Sequence, residues 1–256
     1  QAFFAFAKTY TNVHPKHYYT LGRRSFVKAV WEVDRRLAEI EASFDLIVQS
    51  SPINAEAAWT EFRRSGFDKA PRFLYRPLSV DPPELKRRLF SVPMENIEDA
   101  SIGSLLLEKQ IDIDRRVTML SDIGTRRFLY GSCALFGTVN ATVLQLAWDL
   151  LRRLPPRVRK KKNEQTYTAA ELAKLAQREI AHYREVDPSL ASGAWVRDDI
   201  HTGMIVSKGE LFIGRQMTAT ATRARSLLAH EIGVHVLTYH NGTKQPFRQL
   251  ALGLAG

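Results

Sequence analysis

The stretch "LLAHEIGVHVLTYHNG", residues 227–242, constrains the fold of this chain more than any other. It sets His230 beside Glu231 and places a second histidine, His235, five residues after the first. Metallopeptidase helices normally carry His-Glu-x-x-His, with the imidazoles four residues apart. On a regular α-helix four residues advance to within about 40° of the starting direction, so both rings reach one metal. Five residues leave them about 140° apart. If the two imidazoles serve one site, the helix must depart from α geometry. A π-type turn achieves this, and Gly233 lies where backbone freedom makes it cheap. If they do not, each is an ordinary helix histidine. Taken alone the motif leaves both readings open. His240 does not rescue a three-histidine site, because on one helix the three rings would spread around the cylinder.

The surroundings of the motif favour chemistry. "GMIV-SKGE-LFIG" (203–214) reads as a β-hairpin with Gly209 in its turn, and a helix starting near Thr220 carries the motif. A strand edge followed by a motif helix suits a peptidase, since an edge strand can hold an extended peptide. Upstream, "TAAELAKLAQREIAHYREVD" (168–187) is an amphipathic helix with Thr168 as N-cap and Glu171 at the capping-box position.

The first half of the chain is helical in pattern. Phe26, Val30, Val33, Leu37, Ile40 and Phe44 recur at helical spacing. A second helix follows with Asn54 as N-cap and Gly66 as its stop, and a short one starts at Pro82 or Pro83. A long helix is expected over 102–130 and another over 139–154, with their Leu and aromatic positions in the core. The fold class is therefore α+β: mostly helical, with a small β-hairpin or sheet beside a zincin-like His-Glu-x-x-x-His helix. "RRLPPRVRKKK" (152–162) carries seven basic residues and no acid. We read it as a solvated linker, ended on its helical side by Pro155 and Pro156. The chain divides there into a helical region, 1–162, and a metallopeptidase region, 163–256.

Composition narrows the function classes. The formal net charge is +10, which suits nucleic acid or an acidic peptide. No nucleic-acid motif and no stacking aromatics accompany the basic run, so nucleic acid is disfavoured as a partner. No apolar run approaches the roughly 18 residues that span a bilayer, and no membrane partner is expected. Cys133 stands alone, which excludes an intrachain disulfide framework and a multi-cysteine metal site; its apolar setting makes it a poor nucleophile, and the expected compartment is the cytoplasm. The start "QAFFAFAKTYTNVH" lacks the basic leader and cleavage site of a signal peptide, and without an initiator Met it reads as a fragment or processed form.

The residues around the motif also resemble a known family. "HEIGVH", followed by "NGTKQP" and "GLAG", is similar to the tubulin tyrosine carboxypeptidases of the MATCAP type, and most of all to their bacterial relatives, the flavohemoglobin expression-modulating proteins known for a Gln-Glu-Gly-Leu-Pro motif. The likeness extends upstream through "LFIG", "FLYGSCALFG" and "PRFLYRPLSVDPPELKRRL". It implies that His230 and His235 bind Zn2+ and that Glu231 is the general base on the zinc-bound water. It implies a carboxypeptidase that removes a C-terminal residue, such as tyrosine or another aromatic, from a peptide or protein that can be acidic. The family's third ligand is a Glu downstream of "GLAG", which puts it after Gly256; within the chain, His201 and His240 are the candidate substitutes. Arg215, Arg223, Arg225 and Lys244 flank the motif as candidate partners for a terminal carboxylate. Two rival readings stay open: another zinc hydrolase or amidase on the same site, and a non-catalytic basic scaffold or nucleic-acid-binding protein with a vestigial motif.

Overall fold

A computed structural model of the chain describes residues 27–154, 164–201 and 203–253. Phe26, most of the basic segment and the apolar start lie outside the described residues. The architecture is α+β, mostly helical with two small sheets. Helix α1 (Lys28–Glu41) buries Val30, Val33, Leu37 and Ile40, the stripe expected from their spacing. Phe44 follows into the same core. Short α2 (Leu46–Ser50) is capped by Asp45, whose carboxylate accepts from the Val48 amide. Then come α3 (Ala55–Arg64), α4 (Pro82–Phe90) and α5 (Ala100–Asp122). α4 begins on Pro82, where a missing N–H costs nothing. α1, α4 and α5 share the first apolar core, built on Leu37, Leu89, Ile113 and Leu120.

Three features of this half differ from the sequence reading. Asn54 sits at the N-cap position of α3, yet its side chain caps nothing there. It instead donates to the Arg72 carbonyl and accepts from the Leu74 amide, both at 2.8 Å, which ties an extended strap to the helix start. The helix expected over 102–130 is two helices, α5 and α6 (Arg127–Phe136). Gly124 breaks it by entering the left-handed region at φ +78°, which no helix interior allows. Finally, the apolar residues of α6 and of α7 (Ala141–Arg153) are not core. Tyr130 is 73% exposed, Phe136 74% and Leu151 66%, because α7 has almost no packing partner among the described residues. Among the described residues no single helix is long and apolar enough to cross a membrane. α6 and α7 meet that test only together and are bent by 88° at the break between them.

The second half holds a second core. Strand β1 (Thr166–Thr168) leads into α8 (Ala169–Val186), and the expected capping box forms, with Thr168 and Glu171 each bonding the other's backbone amide. Strands β2 (Ala194–Arg197), β3 (Met204–Ser207) and β4 (Glu210–Gly214) form a sheet in the order β2-β4-β3, parallel then antiparallel. β5 (Thr218–Thr220) pairs with β1. The β3–β4 hairpin turns through Lys208 (φ 50°) and Gly209 (φ 78°), the tight turn its sequence predicts. A side chain at 209 would collide with the Tyr239 ring, so the glycine also lets the hairpin dock on the helix beyond the motif. Leu172, Ala176, Ile180, Leu211, Ile213, Ile232 and Val236 fill the core between α8, the sheet and the motif helix.

Two buried contacts tie the end of the chain back to the first core. Helix α11 (Gln249–Leu252) is capped by Asp34 of α1, whose carboxylate accepts from the Arg248 and Gln249 amides at 2.8 and 3.1 Å. Burial pushes the Asp34 carboxyl above the usual range, against those two amides. Lys109 of α5 is wholly buried; its ammonium donates to Glu41 at 2.8 Å and to the Gly253 carbonyl at 2.7 Å, with Asp112 at 3.4 Å. Arg116 joins from the surface side. Desolvation raises the Glu41 carboxyl, with Lys109 the main opposing charge. Removing one partner of such a buried cluster strands the others, at a typical cost of about 3–5 kcal/mol. Lys109→Met, which keeps the length and loses the charge, should therefore lower the unfolding free energy read from urea denaturation by a margin of that order, and the midpoint with it. An unchanged midpoint would show that the cluster adds nothing to the fold.

Candidate metal centre

Helix α9 (Ala221–His230) starts at Thr220, whose hydroxyl accepts from the Arg223 amide. Its core-facing residues continue through the motif at four-residue steps: Ala224, Leu228, Ile232 and Val236 are all buried. A regular α-helix drifts about 40° at every such step, so over three steps the stripe would rotate away from the core. The backbone removes the drift by widening: residues Glu231–Val236 form a π-helical turn, and α10 (Leu237–Thr243) resumes α geometry. Gly233 lies in the widened turn.

The same widening brings His230 and His235 together. Both rings are exposed on the side away from the core, with centroids 4.8 Å apart and planes at 88°. Their Nε2 atoms stand 3.2 Å from each other. A tetrahedral zinc with Zn–N distances of about 2.0–2.1 Å holds two nitrogens roughly 3.3 Å apart. The spacing and the imidazole donors thus fit a metal of this kind, and His230 and His235 could hold one. Glu231 is half-buried beside them, and its carboxylate has no hydrogen bond or ion pair to any described residue. β3, an edge of the three-stranded sheet, packs against the turn, as does β4.

Neither substitute ligand joins the pair. His240 is buried, and its Nε2 lies 2.8 Å from an Asp187 carboxylate oxygen at the end of α8. Lys244 bonds the same carboxylate. The His240 contact, then Lys244 and Ser189, hold the Asp187 carboxyl well below the usual range. His201 lines a separate cavity with Glu56, Asp198 and Arg215. Among the described residues no cluster of three or more His, Cys, Asp or Glu side chains could hold a metal.

The flanking cations also separate. Arg215 is paired with Asp198 and Lys244 with Asp187, whereas Arg223 and Arg225 are exposed with no ion pair among the described residues. Arg223 precedes His230 by seven residues, two helical turns, and so shares its face about 10 Å away. The sequence reading missed Tyr183. This α8 residue brings its hydroxyl within 3.9 Å of where a side chain on Gly233 would begin. Its contact joins residues 50 positions apart, and no local pattern announces it.

No curated protein and no solved structure matches the chain. One family model does, over residues 60–256, a span that takes in the sheet, the π turn and both histidines. With so much of its length matched, the chain belongs to the family described as microtubule-associated tyrosine carboxypeptidase, MATCAP.

Proposed function

We propose that this chain is a zinc-dependent carboxypeptidase that removes a C-terminal residue, aromatic by preference, from a protein or peptide. Family membership implies carboxypeptidase activity on protein C-termini. The observation that carries the finer reading is the approach of the His230 and His235 nitrogens to 3.2 Å at a turn that also presents a carboxylate with no partner among the described residues. In this reading the two imidazoles hold the metal, and the further protein ligand comes from outside the described residues. When bound, zinc supplies a Lewis acid for the scissile carbonyl and makes water a nucleophile at neutral pH. Glu231 takes the proton from the attacking water on a carboxylate oxygen and passes it to the leaving amine nitrogen. The β3 edge offers backbone groups to an extended peptide, in the manner of strand addition. Arg223 receives the terminal carboxylate, since Arg215 and Lys244 already have acidic partners.

The base and the ligands should fail differently. Glu231→Gln should keep zinc and peptide binding while turnover drops by roughly 10²–10⁴-fold, the usual loss for a general base. His235→Ala should lose the metal and the activity together. Metal analysis alongside steady-state kinetics on tyrosine-ended peptides reads both. Undiminished hydrolysis by Glu231→Gln would remove Glu231 from the mechanism. A zinc-free wild type that binds polyanions in a salt-dependent way would support the scaffold reading instead.

The anchor has its own signature. Losing a charge-assisted hydrogen bond of about 1.5–3 kcal/mol weakens binding by an order of magnitude or more. Arg223→Ala should raise KM to that extent on peptides with a free terminal carboxylate and leave kcat nearly unchanged. The same KM in both proteins would transfer the role to another cation, with Arg225 the next to replace.

A further inference from the structure

Tyr183 packs its ring on the second core and turns its hydroxyl toward the motif turn. Its ring lies against the second apolar cluster and beside His182, on the face of α8 that meets the motif helix. Tyr183 is half-buried, and its hydroxyl reaches solvent. The hydroxyl has no hydrogen-bond partner among the described residues. It stops beside Gly233, within 3.9 Å of the position a Cβ would take, and Gly233 leaves the space in front of it open.

Where Gly233 points decides what that hydroxyl can reach. Glu231 precedes Gly233 by two residues, which is close to half a turn, so the two point to roughly opposite sides of the helix. The carboxylate and the Tyr183 hydroxyl therefore flank the turn from opposite sides. His230 comes one residue before Glu231 and three before Gly233, so its direction falls between the two. A base on one flank, the His230 imidazole between, and on the other flank an O–H donor with no protein partner among the described residues make a three-part arrangement. A carbonyl carbon attacked from the Glu231 side directs its oxygen away from the base as the C–O bond forms and the C=O π bond breaks. A hydrogen-bond donor on the far flank is placed where that charge develops.

We propose that Tyr183 is a catalytic residue whose hydroxyl donates a hydrogen bond to the scissile carbonyl oxygen as it becomes an oxyanion; this rests on the hydrolase reading above. The ring packs on the core, and the hydroxyl has no protein partner among the described residues, so the donor stays available to a substrate. A single donor at the developing oxyanion is effective in the transition state.

Tyr183→Phe removes the oxygen and keeps the ring. In the zinc-loaded chain, kcat and kcat/KM should fall together by about 10²–10³-fold, the range for one lost oxyanion donor. Zinc content and the thermal midpoint should stay at wild-type values. Calorimetry gives a readout independent of turnover. A peptide carrying a phosphonate in place of the scissile amide, which mimics the tetrahedral oxyanion, should bind the variant at least tenfold more weakly, while a substrate peptide binds both proteins alike. Full activity and unchanged phosphonate affinity in Tyr183→Phe would overturn the assignment, with the hydrolase reading intact. Loss of zinc or of stability in the variant would also overturn it, by showing that the hydroxyl holds the structure together. A zinc-loaded wild type that hydrolyses no peptide would instead remove the reading on which the assignment depends.

Discussion

The second half of the molecule is organised by a mismatch between two periods. Ala224, Leu228, Ile232 and Val236 demand a core contact every four residues, and the α-helix repeats every 3.6. Burying all four requires that the backbone give, and it gives at residues 231–236. The hydrophobic demand on one face therefore sets the polar geometry on the other. Ile232 and Val236 fall into the core, and His230 and His235 are turned toward each other above it. Burying an aliphatic side chain contributes about 1.5–3 kcal/mol, so two such residues together outweigh the loss of regular hydrogen bonding in a single turn. The buried stripe alone favours a widened turn at this point.

The same mismatch explains what could be read in advance and what could not. The five-residue spacing of the histidines is visible in the sequence, and it asks for a widened turn at Gly233 only if both imidazoles serve one site; the four-residue apolar steps, seen once the core is known, add the second reason. The capping box at Thr168 and Glu171, the hairpin at Lys208–Gly209 and the stripe along α1 were legible for a related reason, since each depends on residues within a few positions of one another. The failures share the opposite cause. Asn54 leaves its own helix for the backbone of residues 72–74, a competition between a local and a distant partner that no short window contains. His240 carries the residue type of a metal ligand, but Asp187, 53 positions away, claims it. Gly124 was in plain view, and the apolar pattern on both sides of it concealed the break.

Exposure of α6 and α7 belongs with these failures. Amphipathic periodicity records that a face is apolar without recording what it meets. Leu151 and Phe136 satisfy every rule for core positions, and among the described residues nothing covers them. Tyr183 is the reverse case: an unremarkable residue in an amphipathic helix that gains significance only from the glycine opposite it.

The tie between residues 248–253 and the first core has a consequence for how the two cores can be handled. The basic segment between α7 and β1 looks like a place to divide the protein, but the covalent path is not the only connection. Asp34 supplies the N-terminal cap of α11, and Lys109 spends one of its three protons on the Gly253 carbonyl. A second half expressed by itself would leave the start of α11, its last described helix, without a cap, and a first half would hold a buried carboxylate with no amides to accept from. Cleavage of the intact chain at the basic segment would be a different experiment, because the pieces would remain clasped by these contacts. The contact between residues 34 and 249 closes a long stretch of chain into a loop, and the histidine turn lies inside that loop.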